Sequence, residues 1–242
     1  MADIKVELLD HMGSDLDVVN AARVSFDKDS DWEYVEGITE PDKFDISYTT
    51  YERRLSERDA SLIRYLAAHN HWSPFTHCFL KFRVKAPIFV ARQLAKHQVG
   101  LSWNEVSRRY VDSEPEFYEP QAWRARADNV KQGSSEETIP QLYINDAMNV
   151  WDEWGSSHTV TGSCLEAYKE LIAYGVCPEQ ARMVLPQSMM TEWIWSGSLY
   201  AFARVVNQRL DSHAQRECVE VALPISGHCA TIFPVSWAAL IG

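Results

Sequence analysis

The chain has 242 residues, of which 46% are hydrophobic and 24% charged, with a formal net charge of −11. That length and composition predict one globular domain over residues 1–242 with a sizeable core. The acidic balance argues against a general nucleic-acid binder, which needs a basic face, and no apolar run approaches the length that crosses a bilayer. Cys78, Cys164, Cys177, Cys218 and Cys229 are odd in number, widely spaced and free of CxxC, which excludes a disulfide framework. Reduced thiols, together with an opening MADIKVELLD that has no apolar signal core, predict a cytoplasmic protein.

In chain order, Ile4 to Leu9 alternates as a short strand and Leu16 to Ser25 reads as a short helix. Ser25 to Thr50, rich in Asp, Glu, Ser and Tyr, reads as a long surface loop. Leu55, Leu62, Ile63 and Leu66 recur at helical spacing over residues 55–69. Cys78, Leu80, Phe82 and Val84 alternate with Phe79, Lys81, Arg83 and Lys85, the period of a half-buried strand. Pro87 ends that strand and suits the first turn of a helix through IFVARQLAKH, stopping near Gly100. On that helix Arg92 and Lys96 share a face, with Gln93 beside them. Val111 to Pro140 reads as loop with room for a short helix. Ile144 to Tyr174 reads as helical, with Trp151, Trp154, Leu165, Tyr168 and Ile172 as core contributors. Cys177 to Leu185 makes a short helix with Pro178 near its start. Thr191 would cap a long helix from Glu192 to Arg209. A further helix would start at Asp211 or Ser212 and end before Pro224. On the predicted helix Trp193 and Trp195 cannot face the same way. Many helices with at least one good strand, not in strict alternation, predict an α+β fold.

The chemistry concentrates in KHQVGLSWNEVSRRY, residues 96–110. From Arg92 to Tyr110 four cations face a single carboxylate, against the acidity of the rest of the chain. Arg92, Lys96, Arg109, Arg182 and Arg209 sit among polar residues and match an anionic ligand, with Ser107 adding a hydroxyl. The same arginines also read as solvated charges or helix C-terminal partners. His69, His71, His77 and Cys78 could bind zinc and serve a nucleotide hydrolase, although H-x-H-x5-H-C follows no standard zinc spacing. Ser107 lacks the G-x-S-x-G elbow, and no cysteine has an activating neighbour, so a protein nucleophile is disfavoured. No G-x-G-x-x-G or Walker sequence occurs, so a dinucleotide would bind without the Rossmann fingerprint.

KHQVGLSWNEVSRRY resembles the signature of flavin-dependent thymidylate synthases, R-H-R followed after seven or eight residues by the serine of N-E-x-S-x-R-Y. HWSPFTHCFLKFRVKAPIFVARQ resembles the family's H-x-S/T-P-F-E-H strand and the K-A-P-I-F-V-A-R-Q helix after it. ARMVLPQSMMTEWIW resembles the A-R-x-V-L-P segment, and NQRLDSHAQ the N-x-R-x-D-x-H-A-Q segment. The likeness runs from Asn20 to about Ala222. Three positions depart from it. Lys96 and Gln98 stand where the signature has arginines, and Thr76 where it has glutamate. Lys96 keeps charge without the bidentate fork, and Gln98 removes the charge.

The resemblance implies an α+β fold with an antiparallel sheet and helices, a homotetramer, and sites shared between subunits. It implies reductive methylation of deoxyuridylate (dUMP) to thymidylate, with methylenetetrahydrofolate as carbon donor and NADPH-reduced FAD as hydride donor. Gln93, Lys96, Glu105, Ser107, Arg109, Arg182 and Arg209 would contact dUMP. Arg209 would favour loss of the uracil N3 proton, and Ser107, Arg109 and Arg182 would hold phosphate or sugar. Ser73, Lys96, His97, Gln98 and Glu105 would line the FAD, joined by Asn207 and His213. Residues around Ser198, Tyr200 and Arg204 would also meet the flavin, and His71 would orient folate or flavin. No metal is implied. Lys96 and Gln98 keep open a further reading, a nucleotide-binding module without turnover.

Overall fold

In the computed structural model, residues 2–37, 50–111, 113–128, 134–151 and 157–241 are described. The order is β1 (Lys5–Met12), α1 (Asp15–Arg23), β2 (Glu33–Gly37), β3 (Thr50–Arg54), α2 (Glu57–Ala68), β4 (Phe79–Pro87), α3 (Ile88–Leu94) and β5 (Leu101–Glu105). Then follow β6 (Arg124–Arg126), β7 (Ser134–Thr138), α4 (Gln141–Met148), β8 (Asn149–Trp151), β9 (Ser157–Thr159), α5 (Val160–Ala173) and α6 (Pro178–Ala181). The chain ends with β10 (Met190–Ser198), α7 (Leu199–Arg209), α8 (Arg216–Ile232) and α9 (Pro234–Ile241). Helices and antiparallel sheets in this mixed order make the expected α+β fold. No described helix is long and apolar enough to cross a membrane.

The central sheet has the order β1-β4-β10-β5, antiparallel throughout. Its pattern follows from period two: Leu80, Phe82, Val84 and Ala86 are buried, while Phe79, Lys81 and Arg83 are exposed. The dry face packs on α7 and α8. Phe82 and Trp195 both meet Phe202 edge-on, with centroids 5.1 and 5.5 Å away.

Residues 190–198 are a strand, not the start of a long helix, and the helix cap is Ser198, whose Oγ accepts from the Ala201 N–H at 3.2 Å. Trp193 and Trp195 therefore face the same way, and both are buried. The alternation of buried and half-buried side chains across MTEWIWSGS is the strand signature that a helix reading overrides. Other segments differ as well. Part of the predicted 25–50 loop pairs as β2 with β3, and β6 pairs with β7 inside the predicted 111–140 loop. The 144–174 stretch is α4, the β8–β9 hairpin and α5, interrupted where extended backbone pairs instead. Tyr168 is buried as expected, and Leu165 and Ile172 are half-buried. Trp154 and the Trp151 side chain lie outside the described residues. Helix α8 starts at Arg216 rather than near Asp211, and Pro224 lies inside it, on an exposed side where the carbonyl it leaves unpaired can meet water.

Two long-range polar locks close the fold. Arg23 of α1 pairs with Asp59 of α2, its Nε donating at 3.1 Å. Burial alone would raise the Asp59 carboxyl, but Arg23 and the Ser56 and Ser30 hydroxyls hold it below its usual range. Asp15 is buried and accepts from the Val235 and Ser236 backbone N–H groups, each at 2.9 Å. It thus caps the first turn of α9 from the other end of the chain. Asp15→Ala is expected to lower the unfolding free energy by about 2 kcal/mol, measured as a lower urea midpoint at unchanged slope. An unchanged midpoint would show that water replaces the cap.

Candidate active site

Helix α3 stops at Leu94, so Lys96, His97 and Gln98 lie in the loop after it, not on the predicted helix face shared with Arg92. Gly100 ends that loop at φ +76°, a conformation that favours glycine. Across from it a Cβ on Gly197 would sit 2.4 Å from the Gly100 carbonyl oxygen. These two glycines let the loop lie flat against β10.

Arg209 is the last residue of α7 and reaches this loop. Its Nε donates to His97 Nε2 at 3.0 Å. An imidazole can accept there only when neutral. Burial first, then the Arg209 and Arg204 charges, push the His97 pKa down to about 4. The ring is therefore neutral near pH 7, and among the described residues no hydrogen bond uses the guanidinium's Nη1 and Nη2. A cleft of about 210 Å³ holds Lys96, His97, Gln98, Arg204 and Gln208. An adjoining cleft of about 350 Å³ shares Val99, Ala201 and Arg204 and adds Ser198, Trp72 and Tyr200. Trp72 and Tyr200 approach to 6.4 Å between ring centroids. Cations and amides beside two aromatic rings fit a flavin dinucleotide, which carries phosphates and flat rings. Gln93 on α3 is oriented by a residue no motif suggested: the Cys218 thiol donates to its Oε1 at 3.0 Å. Burial raises that thiol to about 11, so it stays protonated and remains a donor.

A second group lies at the other end of β5. Glu105 Oε1 accepts from Thr191 Oγ1 at 2.8 Å, and Oε2 from Trp103 Nε1 at 3.2 Å. A cleft of about 480 Å³ contains Glu105, Arg182, Arg108, Lys85 and Glu116. Arg182 Nε donates to the Glu179 carbonyl at 3.3 Å. Ser107 and Arg109 are not in the lining of that cleft. Arg109 Nε donates to Ser107 Oγ at 3.2 Å, and its guanidinium stacks 5.1 Å from the Tyr110 ring. Four residue steps of extended chain separate Leu101 from Glu105, about 14 Å. The two groups thus flank opposite ends of one strand, well apart.

The remaining predicted residues disperse further. Ser73 and His71 line a cleft of about 1120 Å³ against α1 and α2, with Arg23, Arg58, Tyr65 and Trp72. His213 lines another, of about 530 Å³, with Arg124, Gln215 and Glu217. Asn207 Nδ2 donates to the Leu240 carbonyl at 3.0 Å, which ties it to α9. Cys78 is buried, and its thiol donates to the Ser14 carbonyl at 3.5 Å. Burial, then Asp17 and Asp15, push that thiol up to about 12. The zinc reading fails on this placement: among the described residues no three His, Cys, Asp or Glu side chains converge to hold a metal ion. Thr191, Trp103, Cys218 and Arg108 are the site neighbours that sequence reasoning missed. Trp103 and Arg108 lie inside the quoted segment, but Thr191 and Cys218 carry no local signal.

The His97 shift sets a direction for stability. On acidification the unfolded chain takes up the His97 proton near 6.5, while the folded chain resists until about 4. This group's contribution to stability is therefore complete above pH 6.5 and declines as pH falls through that window. Urea unfolding of the wild type and His97→Asn between pH 4 and 7 is expected to show a shallower pH slope in the variant. Equal slopes would mean that His97 is not the group responsible.

A profile of the family described as "Thymidylate synthase complementing protein" matches residues 7–235. A flavin-dependent thymidylate synthase of Thermosipho africanus is 36% identical over 221 residues, 91% of this chain and 83% of the relative. One from Kosmotoga olearia is 35% identical over 241 residues, 98% of this chain and 89% of the relative. Among solved structures, a UMP/dUMP methylase, PolB, from Streptomyces cacaoi bound with 5-Br dUMP matches with a TM-score of 0.74. It is 31% identical, covering 98% of this chain and 94% of that one. A signature loop joined to the end of α7, on an α+β scaffold that matches over nearly its whole length, leaves one conclusion: the chain belongs to the thymidylate synthase complementing protein family, the flavin-dependent thymidylate synthases.

Proposed function

We propose that this chain converts dUMP to thymidylate with methylenetetrahydrofolate as carbon donor and with FAD that NADPH reduces. The observation that carries the reading is the Arg209–His97 contact, which ties a guanidinium to the signature loop. FAD, when bound, supplies the hydride that completes the new methyl group. Lys96, His97, Gln98 and Arg204 would hold it beside Trp72 and Tyr200, with Ser73, Glu105, Asn207 and His213 as further contacts. Arg209 would set Nη1 and Nη2 against the uracil ring. A fixed cation there favours loss of the N3 proton and stabilises the anionic ring, which makes C5 the attacking carbon. Gln93 would present its amide nitrogen to the same nucleotide, and Lys96 would add charge. Ser107, Arg109 and Arg182 would hold phosphate and sugar, and Glu105 the space between. The buried thiols of Cys78 and Cys218 stay protonated, which supports chemistry without a cysteine nucleophile. Some 14 Å of strand between the two groups supports a site completed by another copy of the chain, in a homotetramer.

A second reading has one observation in its favour. PolB, the similar chain from Streptomyces cacaoi, is described as a UMP/dUMP methylase. Uridylate is therefore a second candidate substrate here.

The deciding experiment loads the protein with FAD, reduces it anaerobically with NADPH, and adds dUMP and folate, with uridylate in parallel. Bleaching of the flavin followed by thymidylate formation is expected. A flavin that stays oxidised, or reduction that yields no methylated nucleotide, would sink the reading. Arg209→Ala is expected to lower turnover on the order of a hundredfold or more with little change in urea midpoint. Proportionate losses of both would make Arg209 a structural residue.

A further inference from the structure

Gln93 lies on α3, half-buried, and its side-chain oxygen is already engaged by the Cys218 thiol, which donates to Oε1 at 3.0 Å. Among the described residues no hydrogen bond uses its Nε2. A glutamine amide can turn over about its last bond, which puts an NH2 where the carbonyl was. The partner on its inner side decides the direction. A protonated thiol donates to an oxygen, whereas its sulfur is only a weak acceptor for an NH2. Cys218 therefore holds the oxygen of Gln93 to itself and leaves the NH2 for a ligand.

The lock is rigidly mounted. Cys218 is fully buried in the first turn of α8, where its N–H donates to the Gln215 carbonyl at 2.9 Å, and α8 packs on α3. Burial raises the thiol to about 11, against the pull of the Arg209 charge. Arg209 and Gln93 are thus neighbours of one residue. Arg209 by itself reads little about a pyrimidine. A uracil ring that has lost its N3 proton presents acceptors at O2 and N3, and so does cytosine. A guanidinium, with donors only, satisfies both. The two rings differ at position 4, where uracil has a carbonyl that accepts and cytosine an amino group that donates. Telling them apart takes a donor that cannot turn into an acceptor.

We propose that Cys218 is a positioning residue that sets base specificity: it locks the Gln93 amide with its NH2 toward position 4 of the pyrimidine, so that the site takes a 4-carbonyl ring and rejects a 4-amino one. This rests on the proposed substrate. Against a 4-amino ring the locked amide sets donor against donor and leaves both unpaired. An unlocked amide would turn its oxygen to that amino group and accept either ring.

Calorimetric titration of the FAD-loaded protein with dUMP and with deoxycytidylate (dCMP) tests it. The wild type is expected to prefer dUMP on the order of a hundredfold. Cys218→Ala is expected to narrow that preference about tenfold, chiefly through tighter dCMP binding, a gain that damage to the fold would not produce. Cys218→Val, which also lacks a donor, reads the same contrast should the alanine variant fail to fold. In a Gln93→Leu background, Cys218→Ala is expected to change the preference no further, because the amide it positions is gone. A preference unchanged in Cys218→Ala or Cys218→Val, whether both affinities hold or both fall together, would overturn the inference and leave the synthase reading standing. So would a narrowing that persists in the Gln93→Leu background, since the thiol would then act by another route. A wild type that binds dUMP and dCMP equally would overturn the inference alone, and one that binds neither would overturn the proposed substrate with it.

Discussion

Everything in this molecule hangs on the pairing of β4 with β10. All nine residues of each strand are in register, from Met190 opposite Pro87 to Ser198 opposite Phe79. The register fixes which side chains turn inward, and a slip of one residue would expose every one of them. It also delivers three functional pieces from fixed points. Pro87 releases the chain into α3 and the signature loop. Ser198 caps α7, which carries Arg209 back to that loop. Thr191, early in β10, reaches Glu105 on the neighbouring edge strand. The site is thus referenced to a rigid sheet even though most of its residues lie in loops.

Charged groups at the candidate site are held by uncharged partners. His97 is neutral where it meets Arg209, Thr191 and Trp103 hold Glu105, and backbone carbonyls anchor Arg108 and Arg182. An ion pair would orient these groups equally well, but it would neutralise the field they present. Neutral anchors keep the full charge available to a ligand. The ion pairs that bind element to element, as between Arg23 and Asp59 or Arg124 and Glu217, use other side chains than these.

The sequence made some of this legible and concealed the rest for physical reasons. β4 could be read because period two survives along a strand with one wet and one dry face. β10 reads as helix because Trp, Ile and Met suit buried helices and strands alike, and its alternation is between buried and half-buried positions rather than apolar and polar ones. The short hairpins β2–β3 and β6–β7 have polar, exposed strands that nothing in composition separates from loop. The signature segment announced its chemistry through its unusual density of cations and hydroxyls. Which arginine faces which cleft depends on the turn after β5, and sequence pattern cannot resolve Arg108 from Arg109 there. Cys218 was invisible because its role depends on a contact with Gln93, 125 positions away.

The Asp15 cap ties the order of synthesis to the order of folding. The helix that Asp15 caps is the last one described, and the two N–H groups it satisfies belong to Val235 and Ser236. During translation Asp15 emerges first, in a segment whose native surroundings include residues not yet made. β1 can find β4 early, since both are in the first half of the chain. The buried carboxylate must stay hydrated until Val235 and Ser236 have emerged, because its desolvation without those donors is costly. This side of the core can therefore close only once α9 has been made. Until then the nascent chain has its sheet begun and the side of the core under α1 and α9 still open.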